Sequence, residues 1–333
     1  MIKKSLLINR VYQQETFTCN GYSTVKGSSE TERRLTFQYN DYINVQALHK
    51  VHKNQTFLTW FIGFVEGDGS FIISHDKVYF DLTQDLKDIK LLYLIKNTLG
   101  FGKILTRTEK HRNVGVFYVT GKTNFIRLAH LFNGNLITSY KKKQFTEWLA
   151  VFNKQYNQEI LLIDSNIKPC FISPWLSGFI DAEGCFAARV KNCHTSKLGK
   201  NLFIDFSIGQ KDADVLQSIR NLFNIGTKYK KVRSTKEQRN IRFDPSWTGY
   251  IFYLSNKKKL IPLIKYLEKY PLKTKKRIDF HMWSRIHRLG IKKVHLTEPG
   301  LKYITKLCYE KKQVEKRSRK KIKEKLKIQS DLD

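Results

Sequence analysis

The chain repeats itself, and this internal duplication restricts the possible folds more than any other feature. Residues 57–71 read FLTWFIGFVEGDGSF and residues 172–186 read ISPWLSGFIDAEGCF, which match at an offset of 115. A second block, FYVTGKTNFIRLAHLF from Phe117, pairs without a gap with FYLSNKKKLIPLIKYL from Phe252, at an offset of 135. Because a repeated segment signals a repeated structural unit, we expect two copies of one unit, the second longer by about 20 residues.

The duplication divides the chain into five segments. They are an N-terminal extension (1–55), a first repeat (56–153), a linker (154–171), a second repeat (172–290) and a basic helical tail (291–333). Within each repeat the order is helix, strands, helix, strands, helix. Apolar Leu202, Ile204 and Phe206 alternate with Asp205 and Ser207, which is typical of a half-buried strand. We therefore expect antiparallel sheets with one apolar and one polar face.

Charge restricts the class of partner. The chain has 61 Lys and Arg against 29 Asp and Glu, a formal net charge of +32, while 41% of its residues are hydrophobic. A folded body with this charge favours a polyanion, most simply nucleic acid, over an acidic membrane surface. The longest apolar run, Phe57–Val65, is far shorter than the roughly 20 residues that span a bilayer. No membrane partner is expected.

Cysteine usage and codon bias indicate the compartment. The five cysteines are scattered and form no C-x-x-C, so neither a zinc module nor a disulfide framework is predicted, and a reducing compartment fits. Lys, Asn, Ile, Tyr and Phe are abundant while Ala is rare, a bias towards A/T-rich codons. This bias suggests an organellar genome. We expect the mitochondrion, with the chloroplast as the alternative.

Small residues recur at helical spacing in both copies of the motif. Gly63 and Gly67 are four residues apart, as are Gly178 and Ala182. A stripe of small residues lets two helix backbones approach closely. A single stripe is ordinary core packing, but two copies predict that the motif helices pack on each other about a pseudo-twofold axis.

An acid ends each motif helix. Asp68 and Glu183 stand where the helix dipole disfavours a negative charge, and two such acids at one axis would repel each other. Mg²⁺, which binds through one or two carboxylates plus water and phosphate oxygens, supplies the counter-charge. That ligand set suits metal-assisted hydrolysis of a phosphodiester. Glu66 and Asp181, two residues earlier, are expected to be structural, bonding near the helix ends or to the other repeat.

FIGFVEGDG (61–69) and LSGFIDAEG (176–184) resemble the two signature motifs of single-chain LAGLIDADG homing endonucleases of the organellar, intron-encoded type. HLTEPGLKYITKL (295–307) is similar to a C-terminal helix of such proteins. The resemblance implies an α+β fold of two pseudo-symmetric αββαββα repeats. The motif helices would form the interface, and the two antiparallel sheets a saddle over double-stranded DNA. It also implies a monomer.

The resemblance further implies the roles of individual residues. Asp68 and Glu183 would bind Mg²⁺ together with Gly67 and Ala182, and each acid would face one scissile phosphate, so that both strands are cut. A basic residue is expected near each phosphate, just before the third helix of each repeat. The positions that match are Lys122 and Lys257.

The two-residue alternation of the strands predicts which side chains face the DNA. Phe71 is in phase with the core, so its neighbours on the strand point to the opposite face. A two-stranded ribbon fits the major groove, where side chains read base edges or contact phosphates. The candidates are Ser70, Ile72, Ser74, Asp76, Asp81, Lys103, Arg107, Cys185, Ala187, Arg189, Lys191, Asp205, Ser207, Lys228, Lys230, Arg233 and Arg242.

Three functions remain open. The first is a site-specific, Mg²⁺-dependent DNA endonuclease that promotes mobility of its host intron, with a non-palindromic target because the polar faces of the repeats differ. The second is an RNA maturase that helps its host intron splice, alone or in addition. The third is a decayed nuclease that binds DNA without cutting. Retention of both Asp68 and Glu183 favours cleavage.

Overall fold

A computed structural model describes residues 36–49, 54–109, 112–223, 227–231 and 249–313 of the chain. A short helix, α1 (Asn40–Val45), precedes two α+β units. The first unit consists of α2 (Gln55–Asp68), β1 (Gly69–Ser74), β2 (Lys77–Asp85), α3 (Ile89–Leu99), β3 (Lys103–Glu109), β4 (Arg112–Val119), α4 (Lys122–Phe132) and α5 (Ser139–Tyr156).

The second unit repeats this order. It consists of α6 (Trp175–Glu183), β5 (Gly184–Asn192), β6 (Lys200–Gln210), α7 (Ala213–Leu222), β7 (Thr227–Lys231), β8 (Gly249–Leu254), α8 (Ile261–Lys269) and α9 (Lys276–Ile291). A last helix, α10, covers 298–313. The predicted αββαββα order is confirmed in both units, and each unit closes with one further helix. Within the described residues, no helix has the length and apolar character needed to cross a bilayer.

Each unit contains one four-stranded antiparallel sheet. The strand orders are β1-β2-β4-β3 and β5-β6-β8-β7, so the two sheets have the same topology. In β1, Phe71 is buried and pairs with buried Phe80 of β2, while Ser70 pairs with Asp81 on the opposite face. The sheets therefore have one apolar and one polar face, as the alternation predicts. Ile73 departs from the pattern, because it lies next to the hairpin turn and is 41% exposed.

Aromatic side chains fill the space between each sheet and its helices. Phe71 packs edge-on against Phe132, Phe145 and Trp148. In the second unit Phe186 lies against Phe280 and Trp283. Since these residues stand at matching positions of the two repeats, the duplicated sequence folds around two equivalent cores.

The two motif helices, α2 and α6, form the contact between the units. A Cβ added to Gly63 would lie 2.1 Å from the carbonyl oxygen of Trp175, and one added to Gly178 would lie 1.9 Å from that of Trp60. A Cβ on Gly67 would lie 2.3 Å from the Cβ of Ala182. The backbones thus approach closely enough that Gly63 and Gly178 admit no side chain. The predicted packing of the motif helices is confirmed.

The end of the predicted N-terminal extension packs on the first repeat. Tyr39 and Tyr42 are buried, and the Tyr39 hydroxyl hydrogen-bonds that of Thr59 on α2 at 2.5 Å. Gln38 and Asn135 exchange two hydrogen bonds, from the Gln38 N–H at 3.0 Å and to its carbonyl at 2.7 Å. Residues 36–49 are therefore structurally part of the first unit.

Candidate active site

Asp68 and Glu183 end the two motif helices side by side. A methyl group on Gly67, the residue before Asp68, would stand 3.4 Å from the Oε1 of Glu183, and the charge of Asp68 acts on Glu183. Two glutamines hold the carboxylates in matching ways. Gln84 at the end of β2 donates to Asp68 at 2.7 Å, and Gln210 at the end of β6 donates to Glu183 at 3.2 Å. The sequence analysis did not assign a role to these glutamines.

Burial makes both carboxylates reluctant to ionise, and repulsion adds to this effect at Glu183. Burial, and next the charge of Asp68, raise the pKa of Glu183 to about 7. Burial also raises the pKa of Asp68, against the hydrogen bond from Gln84 and the charges of Lys276 and Lys141. A pair of partly buried acids with raised pKa values is typical of a functional site.

Two lysines lie beside the acids. Lys276, at the start of α9, donates from its Nζ to the carbonyl oxygen of Ala182 at 2.5 Å. Lys141, near the start of α5, donates to the carbonyl oxygen of Gly69 and is only 5% exposed. Both ammonium groups thus sit at the carboxyl ends of the motif helices, where the helix dipole favours a cation. Their charges act on both carboxylates.

The sequence contains the signal for this lysine pair. Lys141 and Lys276 are separated by the offset of 135 that relates the downstream blocks, and each stands four residues before a matched phenylalanine, Phe145 or Phe280. The signal was hidden because each of these lysines lies in a run of basic residues, KKK at 141–143 and KTKKR at 273–277.

The lysines predicted from the sequence, Lys122 and Lys257, have other surroundings. Lys122 is the exposed first residue of α4. Lys257 has its Nζ 3.4 Å from the Nε2 of His295, and its carbonyl oxygen is 2.6 Å from His287 Nε2. Burial lowers the pKa of Lys257. The structure thus places Lys141 and Lys276 beside Asp68 and Glu183, because the turn before α5 or α9 lies at the motif helix ends. A catalytic role for Lys122 and Lys257 stays a prediction.

The other two motif acids have a different environment. Glu66 is fully buried and accepts hydrogen bonds from the backbone N–H groups of Ile137 and Thr138 at 2.5 and 2.9 Å, and from the Trp175 indole at 2.6 Å. Asp181 is its counterpart and accepts from the Trp60 indole at 2.9 Å. Each acid therefore binds the tryptophan of the opposite helix, as expected for residues with a structural role towards the other repeat.

The donor set fits a hydrated divalent cation. Among the described residues, no group of three or more His, Cys, Asp or Glu side chains is arranged to hold a metal. Two adjacent carboxylates whose pKa values are raised, with backbone carbonyls next to them, match the needs of Mg²⁺, which keeps several waters and takes further oxygens from phosphate. The carbonyl of Ala182, a predicted ligand, is engaged by Lys276.

The predicted DNA-facing residues of the first sheet lie mainly on its polar face. Ser70 and Ile72 are half-buried, Ser74 is exposed, and Asp76 lies beyond β1 in the hairpin turn, with a φ of +55°. In the other strands, Arg107 Nη2 lies 3.7 Å from Asp81 Oδ2. Lys103 begins β3 and is exposed.

The second sheet presents a longer hairpin. Cys185, Ala187, Arg189 and Lys191 alternate with buried or partly buried neighbours along β5, and Ser207 pairs with Cys185. Asp205 differs from its neighbours on this face because it is buried, at 3% exposed. Lys228 and Lys230 belong to β7. Arg233 and Arg242 lie outside the described residues.

A family comparison agrees with this geometry. The sequence model described as "LAGLIDADG endonuclease" matches the chain twice, over residues 61–152 and 176–287. The chain belongs to the LAGLIDADG endonuclease family. The two matches coincide with the two repeats, and each includes the acid that ends a motif helix.

Relatives within the LAGLIDADG endonuclease family come from introns. The chain is 37% identical over 256 residues to the probable intron-encoded endonuclease 4 of Neurospora crassa, covering 76% of this chain and 44% of that protein. It is 25% identical over 261 residues to the intron-encoded RNA maturase bI4 of Saccharomyces cerevisiae, covering 73% and 36%. The chain thus spans less than half the length of either relative.

A solved LAGLIDADG structure shares the fold. The meganuclease I-AabMI bound to uncleaved DNA superposes with a TM-score of 0.60 at 25% sequence identity, over 75% of this chain and 98% of that one. Residues 36–49 and α10 supplement the two repeats that define the LAGLIDADG fold.

Proposed function

We propose that the protein is a site-specific endonuclease that cuts both strands of a long, non-palindromic DNA target with Mg²⁺ and so promotes mobility of its host intron. One observation carries the proposal: two carboxylates, Asp68 and Glu183, meet at the ends of paired helices between two sheets with polar outer faces. The net charge of +32 supplies attraction to the phosphate backbone.

Asp68 and Glu183 would hold the cation, and bound Mg²⁺ would neutralise charge on the scissile phosphate and supply a nucleophilic oxygen near neutral pH. Gln84 and Gln210 orient the two carboxylates through their amide N–H groups. Lys141 and Lys276 place a positive charge beside each carboxylate, where it would stabilise negative charge that develops on the phosphate. In this proposal these lysines take the role that the family resemblance gave to Lys122 and Lys257.

The two-fold arrangement would allow both strands to be cut. The site has two equivalent halves, each with one acid, one glutamine and one lysine, related by the pseudo-symmetry of the repeats. Each half would act on one strand. The outer faces of the two sheets carry different side chains, which favours a target without palindromic symmetry.

The test is to incubate the purified full chain and Mg²⁺ with a plasmid library of randomised inserts. We expect discrete double-strand cuts within one sequence class, and their loss in the variants Asp68→Asn and Glu183→Gln. Cuts that survive in the doubly substituted protein would come from another nuclease. A wild-type protein that is well folded and binds the library but never cuts would refute the endonuclease assignment.

RNA maturation is the second candidate. It is supported by the relation to the yeast maturase and by a lysine-rich helix, α10, whose Lys302 and Lys306 are exposed. Splicing of the host intron transcript in vitro, with and without the protein, tests it. Accelerated splicing that persists in Asp68→Asn would establish a maturase that does not need the nuclease site.

We also propose that the protein acts in the mitochondrion. The relatives named above are intron-encoded, and the A/T-rich codon bias supports an organellar origin. Fractionation of cells that express the chain, with the mitochondrial matrix as the expected location, tests this assignment.

A further inference from the structure

An ion pair joins two adjacent strands on the outer face of the second sheet. Arg189 on β5 and Asp205 on β6 stand diagonally opposite, since Ala187 pairs with Asp205 and Arg189 pairs with Phe203. The Nη2 of Arg189 donates to the Oδ2 of Asp205 at 2.6 Å. The side chain of Asp205 is 4% exposed, whereas that of Arg189 is 40% exposed. A buried carboxylate thus holds the Nη2 of a side chain whose Nε is also buried, while the exposed part of the side chain reaches solvent.

The anchor restricts the arginine. A planar guanidinium held by a short bond to a buried carboxylate keeps fewer rotamers than a free arginine, so less entropy is lost when it binds a second partner. The neighbours on the same strand and face are Cys185 and Ala187, both small. Their short side chains leave space beside Arg189 on the polar face, where the edge of a planar ligand can approach.

The Asp205 carboxylate also determines which kind of ligand Arg189 binds best. With Asp205 at 2.6 Å the pair has little net charge, so its attraction to a phosphate is weak. A base edge carries no charge and instead requires two donors in a fixed orientation. Guanine presents two acceptors, O6 and N7, in the major groove. An arginine that donates to both makes the commonest specific contact with this base.

We propose that Arg189, positioned by Asp205, reads one guanine in the half-site that the second repeat binds. This inference rests on the proposed DNA endonuclease function. Arg189 lies five residues beyond Gly184. At about 3.3 Å per strand residue and about 3.4 Å per base pair, the guanine lies roughly five base pairs outward from the cleavage centre.

At the two positions equivalent to Arg189 and Asp205, the first repeat carries other residues. By the alignment of the strand ladders, Ser74 stands where Arg189 does and Tyr79 where Asp205 does. The guanine contact proposed for this pair therefore belongs to the half-site of the second repeat.

The test uses Asp68→Asn/Glu183→Gln protein, which leaves DNA intact, and duplexes that carry every single-base change of a target selected by the wild-type chain. With Arg189 and Asp205 present, replacing the guanine weakens binding by about 10-fold or more. In Asp205→Asn the penalty at that position falls below about 3-fold while the other positions keep theirs. If Asp205→Asn does not fold, Arg189→Lys replaces it in the test, because lysine retains the ion pair but not the two parallel donors. We expect the same reduced penalty at the guanine position.

Lys191→Gln is the matched control, because Lys191 is exposed on the same strand and face. We expect it to weaken binding to all duplexes alike. The same uniform loss in Arg189→Gln, with the slope of log K against log salt reduced by about 0.9, would identify a phosphate contact and overturn the proposal. An unchanged base profile in both Asp205→Asn and Arg189→Lys would overturn it as well.

Different outcomes would refute the endonuclease function and the guanine contact. If the wild-type chain selects no duplex from the library, the endonuclease function fails and the guanine reading falls with it. If it selects and cuts a target whose profile is insensitive to Arg189, only the guanine reading fails.

Discussion

The indole Nε1 of Trp175 donates a 2.6 Å hydrogen bond to the Oε2 of Glu66, across the contact between the two motif helices. Trp60 makes the reciprocal bond to Asp181 at 2.9 Å. Both acids also bind the backbone at the turn before the last helix of their own unit, Glu66 through Thr138 and Asp181 through Thr274. Each acid thus joins the helix that carries an active-site lysine to the opposite motif helix.

The first prediction concerns this bond. Trp175→Phe removes the donor and leaves the buried Glu66 carboxylate with fewer partners, so we expect the free energy of unfolding to fall by about 1–3 kcal/mol. Urea denaturation measures it. A double-mutant cycle with Glu66→Gln isolates the bond from the lost indole volume, and a coupling energy near zero would show that the bond contributes nothing.

Gly178 is the second test, because its Cβ would lie 1.9 Å from the carbonyl oxygen of Trp60. Gly178→Ala must push the motif helices apart, which we expect to destabilise the protein by about 1–3 kcal/mol and to reduce DNA cutting. Gly209→Ala is the matched control, since its Cβ would meet its nearest neighbour at 4.0 Å. Thermal unfolding of both variants separates a packing defect from a general effect of adding a methyl group.

The third prediction is that the free energy of unfolding depends on pH, and that Mg²⁺ changes this dependence. The folded pKa of Glu183 and that of Glu66 are both about 7, above the ordinary 4.5, so the folded state binds more protons than the unfolded state between these values. In EDTA, the contribution of these groups to unfolding free energy therefore falls as pH rises from about 4.5 to about 7.

Glu183→Gln removes one of these two titrating groups, so the unfolding free energy of this variant should change less with pH. Thermal melts in EDTA at several pH values measure the difference. Mg²⁺ competes with the proton for the carboxylates, so its stabilising effect should grow as pH rises towards about 7. A melting temperature whose pH dependence in EDTA is the same in Glu183→Gln and in the wild type would contradict the assigned pKa.

The lysine pair is the fourth test. Lys141→Met and Lys276→Met keep much of the side-chain volume but remove the charge beside the acids, and we expect each to lower the cleavage rate by about 10²-fold. Lys122→Met serves as the control, because Lys122 is exposed at the start of α4. Single-turnover cleavage of the selected target measures all three. Loss of cutting in Lys122→Met with normal rates in Lys141→Met would restore the lysine assignment made from the sequence.

Much of the architecture could be predicted from local pattern. The repeat of Trp, Gly and acid positions indicated two equivalent units, and the alternation along β1 and β6 assigned their two faces. The four-residue spacing of Gly63 and Gly67, repeated in Gly178 and Ala182, predicted the close helix contact. Such features depend on residues a few positions apart, so periodicity alone expresses them.

The sequence by itself determined the duplication, the fold of each unit and the two acids that end the motif helices, since these follow from periods and from one repeated pattern. Only the tertiary structure decided which lysines accompany the acids. Lys141, Lys142 and Lys143 form one basic run in the sequence, yet Lys141 is buried and Lys143 is exposed. The same holds for Asp205, whose burial beneath Arg189 depends on the register between two strands. Contacts between distant residues are set by how helix ends and strands meet in space, which no short-range pattern encodes.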